Sequence, residues 1–428
     1  MLRNRPEATW WSSAPVRHCM FEQEVDRVAV VTERRDAPSD HELSERLAPL
    51  RRTLERHVGS GAVDGIVTLV DDGTGHPIVD RYGPDGSRPD DTRPDDSGRG
   101  ALDRRLMGRR SRVPIGELTT TLTTATALLL VEDGAIDLHD PVDDLLPELA
   151  DRRVLRTIGA PLDDTVEAGR PVTLMDLLES RSGIGAGPAA APGTPVHRAA
   201  RSLGIGVFDP AETSPEPFVV DEWLQRLGTL PLLHQPGERR LERTDTMVLG
   251  ALVERLTGKP LPDVMADRLL APLHLYDTSF PPAVGDDAPW GFVDAAAGMV
   301  STLDDVWRIA SMLVDGGRSG DTARVLSPST VRSMVVGHGR PERPDPGEPH
   351  ERGWGLGLRS AAQGPEPRAV SAGFGMDGTG ADGSAVTWRS SPDSGATAIL
   401  IAAPAGGDPQ RVAALTTTFW HGIDRAGL

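Results

Sequence analysis

Hydrophobic residues along this chain follow two spacings, one of three and four residues and one of two, and these spacings predict where helices and strands lie. After Ser39, apolar positions recur every three or four residues, which predicts an amphipathic helix. These positions are Leu43, Leu47, Leu50 and Leu54. Ser39 and Glu42 have the spacing of a capping box at the start of that helix. The next segment, GIVTLVDDGTGHPIVDRY, has two β-rich runs around an Asp-Gly pair and predicts a hairpin.

The middle of the chain is predicted to be mainly helical. One helix begins at about residue 118 and has apolar residues along one side. The stretch TMVLGALVERLTGKPLPDVMADRLLAPL indicates two helices separated by Gly258 and Pro260. The stretch STLDDVWRIASMLVDGG predicts another helix, with Ser301 or Thr302 as its N-cap.

The C-terminal part again contains short β-rich runs. We predict strands at GWGLGL, GSAVTWRS and GATAILIAA, and a final helix from about Arg411. Strands at both ends and helices between them predict an α+β fold, whose sheet joins the two ends of the chain. We expect an N-terminal arm over 1–38, a sheet domain formed by 39–118 and 290–428, and a mainly helical domain over 119–289.

Composition narrows the classes of partner and of chemistry. A formal net charge of −18 disfavours nucleic acid and anionic membranes as partners, because both need a basic protein face. The single cysteine, Cys19, excludes an intramolecular disulfide. No stretch has the features of a signal peptide or a membrane span, so we expect a cytoplasmic protein. Lys259 is the only lysine, and Tyr82 and Tyr276 are the only tyrosines, which leaves few candidates for a lysine or tyrosine base.

Five segments occur in an order and at spacings that are similar to those of a known superfamily. They are LVEDGAIDLHDPVDDLLPEL, VTLMDLLESRSGIG, HQPGERRLERTDTMVLGALVERLTGKP, AAGMVSTLDDVWRIASMLVDGG and FGMDGTG. Together they resemble landmarks of the serine β-lactamase-like hydrolases, which include class C β-lactamases, DD-peptidases (penicillin-binding proteins) and related esterases. The resemblance covers about residues 45 to 405. It implies the β-lactamase/transpeptidase-like fold, an antiparallel sheet flanked by helices plus a mainly helical domain, with the active-site cleft between them.

The positions that the resemblance marks as catalytic hold other residues in this chain. The superfamily's nucleophile helix opens with Ile-Gly-Ser-x-x-Lys, whereas here Glu117 stands at the serine position and Thr120 at the lysine position. The position of the family tyrosine holds Glu242, and the third motif reads Met376, Asp377 and then glycine. A carboxylate does not form the stable acyl ester that serine forms, and threonine is no base at neutral pH. The resemblance therefore implies the scaffold without the acyl-serine machinery.

The substitutions suggest a different chemistry at the same place. Two glutamates facing each other across one pocket tend to share a proton, which supplies an acid and a base without a covalent step. The helix N-terminus favours Glu117 as the base and leaves Glu242 as the acid, with Asp377 as a third carboxylate. Such a site suits isomerisation, elimination or cyclisation of a small organic substrate, for example a natural product, with no cofactor. We expect the substrate-binding residues to be Thr120, Ser182, Arg243 and Met376.

Three other interpretations stay open at this point. The pocket is catalytically silent and only binds a small molecule or regulates a partner, or a residual hydrolase uses an unrecognised nucleophile. The candidates for such a nucleophile are Thr119, Thr120, Thr121 and Ser182. The three acidic residues also offer oxygen ligands to a hard cation, but no zinc-type histidine or cysteine spacing is present, and we expect no metal.

Overall fold

The computed structural model of the chain describes residues 40–83, 107–187, 192–206, 219–281, 292–320, 323–337, 353–360, 370–380, 382–404 and 409–428. The predicted arm over 1–38 lies outside these ranges. The helices are α1 (Asp40–Gly59), α2 (Leu118–Glu132), α3 (Leu174–Leu178), α4 (Pro195–Leu203), α5 (Val220–Gly228), α6 (Thr244–Thr257), α7 (Leu261–Met265), α8 (Leu303–Val314), α9 (Pro328–Val335) and α10 (Pro409–Arg425). The strands are β1 (Val63–Asp71), β2 (Ile78–Tyr82), β3 (Val113–Pro114), β4 (Arg153–Leu155), β5 (Thr165–Glu167), β6 (Val300–Ser301), β7 (Arg318–Ser319), β8 (Ala323–Arg324), β9 (Phe374–Thr379), β10 (Ala385–Ser390) and β11 (Thr397–Pro404).

The main sheet joins the two ends of the chain. Its strand order is β2-β1-β11-β10-β9, and all neighbours are antiparallel. Val67 of β1 lies opposite Ile401 of β11, so the N-terminal hairpin continues directly into the C-terminal strands. The predicted α+β fold with an antiparallel sheet is therefore confirmed, and β9, which carries the third motif, is an edge strand.

Helices cover both faces of this sheet. Successive apolar side chains of its strands point to opposite faces, and each face packs against its own set of helices. One face packs against α1 and α10 through residues such as Leu54, Ile66, Leu400 and Phe419. The opposite face contributes to a larger core that includes α2, α6 and α8. The described residues belong to one compact unit, 38–428. The division of that unit into a sheet domain and a helical domain stays a prediction.

Helix α2 is buried around nearly its whole circumference, which explains its unusual sequence of leucines, alanines and threonines. Twelve of its fifteen residues are buried, from Leu118 to Leu130. Threonine tolerates this environment when its hydroxyl finds an acceptor; Thr123 donates to Ala295 O at 2.7 Å and Thr126 to Leu122 O at 2.8 Å. In the described ranges, no helix combines the length and the apolar composition that a membrane crossing needs.

The prediction of a strand at GWGLGL is wrong. This segment forms a bend, closed by an isolated bridge between Trp354 and Arg359. Gly355 lies so close to Met334 that a Cβ would sit 1.7 Å from the Met334 carbonyl oxygen. Gly357 has φ of +74°, which turns the backbone away from an extended path. The other two predicted C-terminal strands are confirmed as β10 and β11.

Candidate functional site

The start of α2 is fixed against β9 by two glycines at which no side chain fits. Gly116 has φ of +51°, and a Cβ there would lie 2.4 Å from Thr379 N. A Cβ on Gly378 would lie 2.0 Å from the Ile115 carbonyl oxygen. Such distances are far below van der Waals contact, so the backbones approach closely only because both residues are glycine. This contact places Glu117 beside the third motif.

Glu117 is exposed and has a defined hydrogen-bond partner on β9. Its Oε2 accepts a hydrogen bond from the Thr379 backbone N–H at 2.8 Å. The residue is the N-cap of α2, where the peptide dipoles complement a negative charge, but its side chain makes no capping bond within the helix. In acyl transfer, backbone amides beside the nucleophile stabilise the oxyanion. Here the amide beside position 117 already binds a carboxylate.

The hydroxyls that sequence analysis offers as alternative nucleophiles have backbone or carboxyl partners. Thr119 is buried and accepts from Met299 N at 3.2 Å, while Thr120 donates to Ala296 O at 3.1 Å. Thr121, also buried, donates to the Gly357 carbonyl oxygen at 2.8 Å. These bonds tie α2 to the segments around it.

Ser182 forms a buried hydrogen-bonded unit with Asp245. Both the backbone N–H and the hydroxyl of Ser182 donate to the Asp245 carboxyl group, the former at 2.9 Å. Burial raises the pKa of Asp245 to about 8, although the hydrogen bonds from Ser182 oppose the shift. The two hydrogen bonds from Ser182 to Asp245 anchor the start of α6.

Glu242 lies just before α6 and is held mainly through its backbone. It exchanges two backbone hydrogen bonds with Ala186, at 2.8 and 2.9 Å. Its side chain is 65% exposed and pairs with Arg240 at 3.2 Å. Arg243, the next residue, is directed to the Asp294 carboxylate at 2.7 Å. Glu117 and Glu242 thus each have a polar partner of their own.

The third motif divides its side chains between the two faces of the sheet. Met376 lies opposite Trp388 and packs in the core that contains α2. Asp377 lies opposite Thr387 on the other face, where Thr387 accepts a hydrogen bond from Trp420 of α10 at 3.2 Å. Asp377 also accepts from Arg389 at 2.6 Å. Asp377 is therefore directed away from the side on which Met376 is buried.

Charged partners hold Asp377 ionised. Burial by itself raises the pKa of Asp377, but the Arg389 charge, the hydrogen bonds from Arg389 and Thr387 and the charge of Arg359 outweigh it and lower the pKa below its ordinary value. A carboxylate with these partners is suited to holding the strand edge and is poorly suited to donating a proton.

A chain of side-chain contacts connects Glu242 with Asp377: two arginines pair with these carboxylates, and both arginines lie near the same tryptophan ring. The Arg240 guanidinium carbon lies 3.5 Å from the centre of a Trp354 ring, and that of Arg359 lies 5.0 Å from the ring centre. Arg359 is 3.6 Å from the Asp377 carboxylate. Sequence analysis does not identify Trp354, because its glycine-rich surroundings predict a strand where the chain forms a bend. Within the part of the chain that the structure describes, no group of three or more His, Cys, Asp or Glu residues is arranged to hold a metal ion.

The structure brings together only some of the expected site residues. Glu117 meets strand β9 at Thr379, where α2 begins, and Thr120 lies in the first turn of the same helix, whereas Asp377 is directed to the opposite face of the sheet. Glu242 and Arg243 lie at the start of α6, and Ser182 belongs to the anchor of that helix. Asp294 and Asp245, which join these segments, were not predicted, because their partners are 51 and 63 residues distant in sequence.

Comparison with known proteins identifies the family. The Beta-lactamase family model matches residues 50–418, so the chain belongs to the beta-lactamase family. It is similar to an uncharacterised protein of Mycobacterium tuberculosis, with 33% identity over 256 residues, which are 53% of this chain and 60% of that protein. It is also similar to the lovastatin esterase of Penicillium rubens, with 27% identity over 275 residues, covering 62% of this chain and 59% of the esterase.

The curated relatives that have functional names are esterases and acyltransferases. The chain spans about 60% of the length of the first relatives. Among solved structures, the unliganded simvastatin synthase of Aspergillus terreus superposes with a TM-score of 0.64 at 20% identity, over 89% of this chain and 98% of the synthase. That similarity supports the same fold.

Proposed function

We propose that this chain is a non-acylating member of the beta-lactamase family that converts a small organic molecule by non-covalent acid/base chemistry, with Glu117 as the base. The observation that carries the proposal is the Glu117 carboxylate, exposed at the N-terminus of α2 and held by the Thr379 amide at 2.8 Å. A base needs such a fixed and accessible position to remove a proton from a bound substrate. Proton removal and return are sufficient for isomerisation, elimination or cyclisation.

The state of the hydroxyls near α2 supports the loss of the covalent route. Thr119 and Thr121 are buried, and Thr120 is bound to a backbone carbonyl oxygen. Ser182 is buried beside Asp245. A nucleophilic hydroxyl needs an exposed position and a neighbouring base, and none of these four residues combines the two.

Glu242 is the proposed proton donor. It precedes α6 as Glu117 precedes α2, and its side chain is 65% exposed. Arg240 at 3.2 Å pairs with its ionised form, so donation requires a substrate that displaces this pair. The similarity to the lovastatin esterase supports a natural-product-like organic substrate for this chain as well.

A specific observation favours a second candidate, a binding protein without catalysis. Glu117 and Glu242 have separate partners, on β9 and at Arg240, instead of a hydrogen bond between them. Two separately neutralised carboxylates can recognise donors on a ligand without moving a proton.

Conversion of metabolites by matched variants tests the proposal. The purified protein is incubated with a metabolite extract of the producing organism, and the extract is compared before and after by mass spectrometry. We expect the wild type to convert one metabolite. Glu117→Gln should convert it at least about 100-fold more slowly, which is the usual effect of removing a general base. Glu55→Gln, at an exposed position on α1, is the control and should behave as the wild type.

Two outcomes would contradict the proposal. Equal conversion by wild type and Glu117→Gln would show that Glu117 is not the base. Binding of a metabolite by every variant with conversion by none would identify the protein as a binder. A large loss in Glu242→Gln as well as in Glu117→Gln would assign the proton donor.

A further inference from the structure

The backbone is strained at Arg243, between Glu242 and the first turn of α6. Arg243 has φ of +74° and ψ of −61°, and the Thr244 N–H donates to the Glu242 carbonyl oxygen at 2.9 Å. These are the angles and the hydrogen bond of a γ-turn with positive φ, a rare and strained conformation. Glycine adopts positive φ without a Cβ penalty, whereas a long side chain does not. Some interaction of the Arg243 side chain must therefore hold it there.

An ion pair supplies that interaction. Arg243 is only 10% exposed, and its Nη2 lies 2.7 Å from Asp294 Oδ2. Strained residues persist where the surrounding structure over-determines them, and a largely buried charge pair is a strong constraint of that kind. The pair joins the turn before α6 to a segment that is 51 residues later in the chain.

Asp294 belongs to a segment that is also bound to the start of α2. Its other carboxylate oxygen accepts hydrogen bonds from the Ala296 and Ala297 amides, both at 3.0 Å. The same segment receives the Thr120 hydroxyl at Ala296 O, and the Met299 carbonyl oxygen accepts from Ile115 N at 3.0 Å. One continuous set of hydrogen bonds thus runs from the turn of Glu242 to the residues that precede Glu117.

We propose that Arg243 and Asp294 are a positioning pair that sets the placement of Glu242 relative to Glu117. This inference rests on the proposed function in one respect, namely that the two glutamates are the working groups. The pair acts through the backbone of other residues, so it is not itself catalytic. An arginine at this position thereby has a structural role, and the expected contact of Arg243 with a substrate stays a prediction.

A distance measurement without any substrate tests the inference. Nitroxide labels are attached at Glu117→Cys and Glu242→Cys in a Cys19→Ser background, and electron paramagnetic resonance gives the distribution of label distances. We expect one narrow distribution in this background. Arg243→Ala should broaden it about two-fold or shift its centre, because the turn relaxes when the ion pair no longer holds it.

Three further variants separate the ion pair from other effects. Arg243→Lys keeps the charge and should retain the narrow distribution. Arg243→Gly removes the backbone strain together with the ion pair and should broaden it, because the side chain that joins the turn to Asp294 is gone. Asp294→Asn should broaden it, and serves as the test if Arg243→Ala does not fold. Arg255→Ala is the control, since it removes ion pairs to Glu148 and Asp221 from the same helix.

An unchanged distribution in Arg243→Ala or Asp294→Asn would overturn the inference. Equal broadening in Arg255→Ala would also overturn it, because the effect would then belong to α6 as a whole. The label distances do not depend on turnover. A failed conversion assay therefore leaves the positioning pair standing, and an unchanged distance leaves the proposed chemistry standing.

Discussion

The starts of α2 and α6 present the two glutamates in opposite ways. At α2, Glu117 has ordinary helical backbone angles, with φ of −62° and ψ of −10°, and close backbone packing at Gly116 and Gly378 fixes its place. At α6, Glu242 precedes a strained turn, which an ion pair and a buried acid stabilise. The position of Glu117 depends on steric fit, and the position of Glu242 depends on charged groups. The two should therefore respond differently to substitution, to pH and to salt.

The largest expected effect is a pH dependence of the free energy of unfolding, caused by Asp245 at the start of α6. Its pKa of about 8 in the folded state lies above the ordinary value of 3.8, so the folded protein retains a proton that the unfolded chain has released. Between these values the free energy of unfolding should fall as pH rises, by up to about 1.4 kcal/mol per pH unit. Urea unfolding from about pH 5 to pH 8 measures this slope.

Asp245→Asn should flatten that slope, because the titrating group is gone. Asp263→Asn, at an exposed position on α7, should keep the wild-type slope. A slope of the same size in Asp245→Asn would show that another group causes the pH dependence, and the contrast between the two helix starts would lose its main support.

On the α2 side, Gly378→Ala should lower the free energy of unfolding by about 3 kcal/mol, because the new methyl group collides with the Ile115 carbonyl oxygen. The loss should be the same at each pH, since no charge is involved. Gly59→Ala at the end of α1, where a Cβ meets nothing within 4 Å, is the matched control. We expect it to be neutral or to stabilise by up to about 1 kcal/mol. Equal behaviour of the two variants in urea unfolding would refute the close approach.

Arg243→Ala should lower the free energy of unfolding by about 2 kcal/mol. The variant loses the ion pair, and alanine still carries the Cβ that strains the backbone at positive φ. Because Arg243 is largely buried, raising the salt concentration to about 1 M should reduce this loss only in part. Chemical denaturation at low and high salt measures both quantities. A loss below about 0.5 kcal/mol, or one that salt abolishes, would mean that the pair behaves as a surface pair.

The smallest expected effect is that of Glu242→Gln on stability. The side chain is 65% exposed, and such a pair with Arg240 contributes between zero and about 1 kcal/mol. We expect thermal unfolding to be nearly unchanged, so that any loss of turnover in this variant reflects chemistry. A destabilisation of about 2 kcal/mol or more would place Glu242 in the structure that supports α6.

Much of the fold could be predicted because its elements carry local signals. Helix α6 ends just before Gly258 and α7 begins just after Pro260. The Thr302 hydroxyl accepts from Asp305 N as the N-cap of α8. The bend at Trp354 was missed because the contacts of its glycines come from distant residues. The site could not be predicted for the same reason, because no local pattern shows that Arg243 meets Asp294.

The measurement that tests the central claim most directly is labelling by a fluorophosphonate probe, read by intact-protein mass spectrometry. The wild type is compared with Glu117→Ser/Thr120→Lys, which restores the superfamily's nucleophile and base at these positions. We expect the wild type to gain no mass and the double variant to gain one adduct at position 117. An adduct on the wild type, at Ser182, at one of the threonines of α2 or at any other hydroxyl, would contradict a non-acylating site and return the chain to the serine hydrolases.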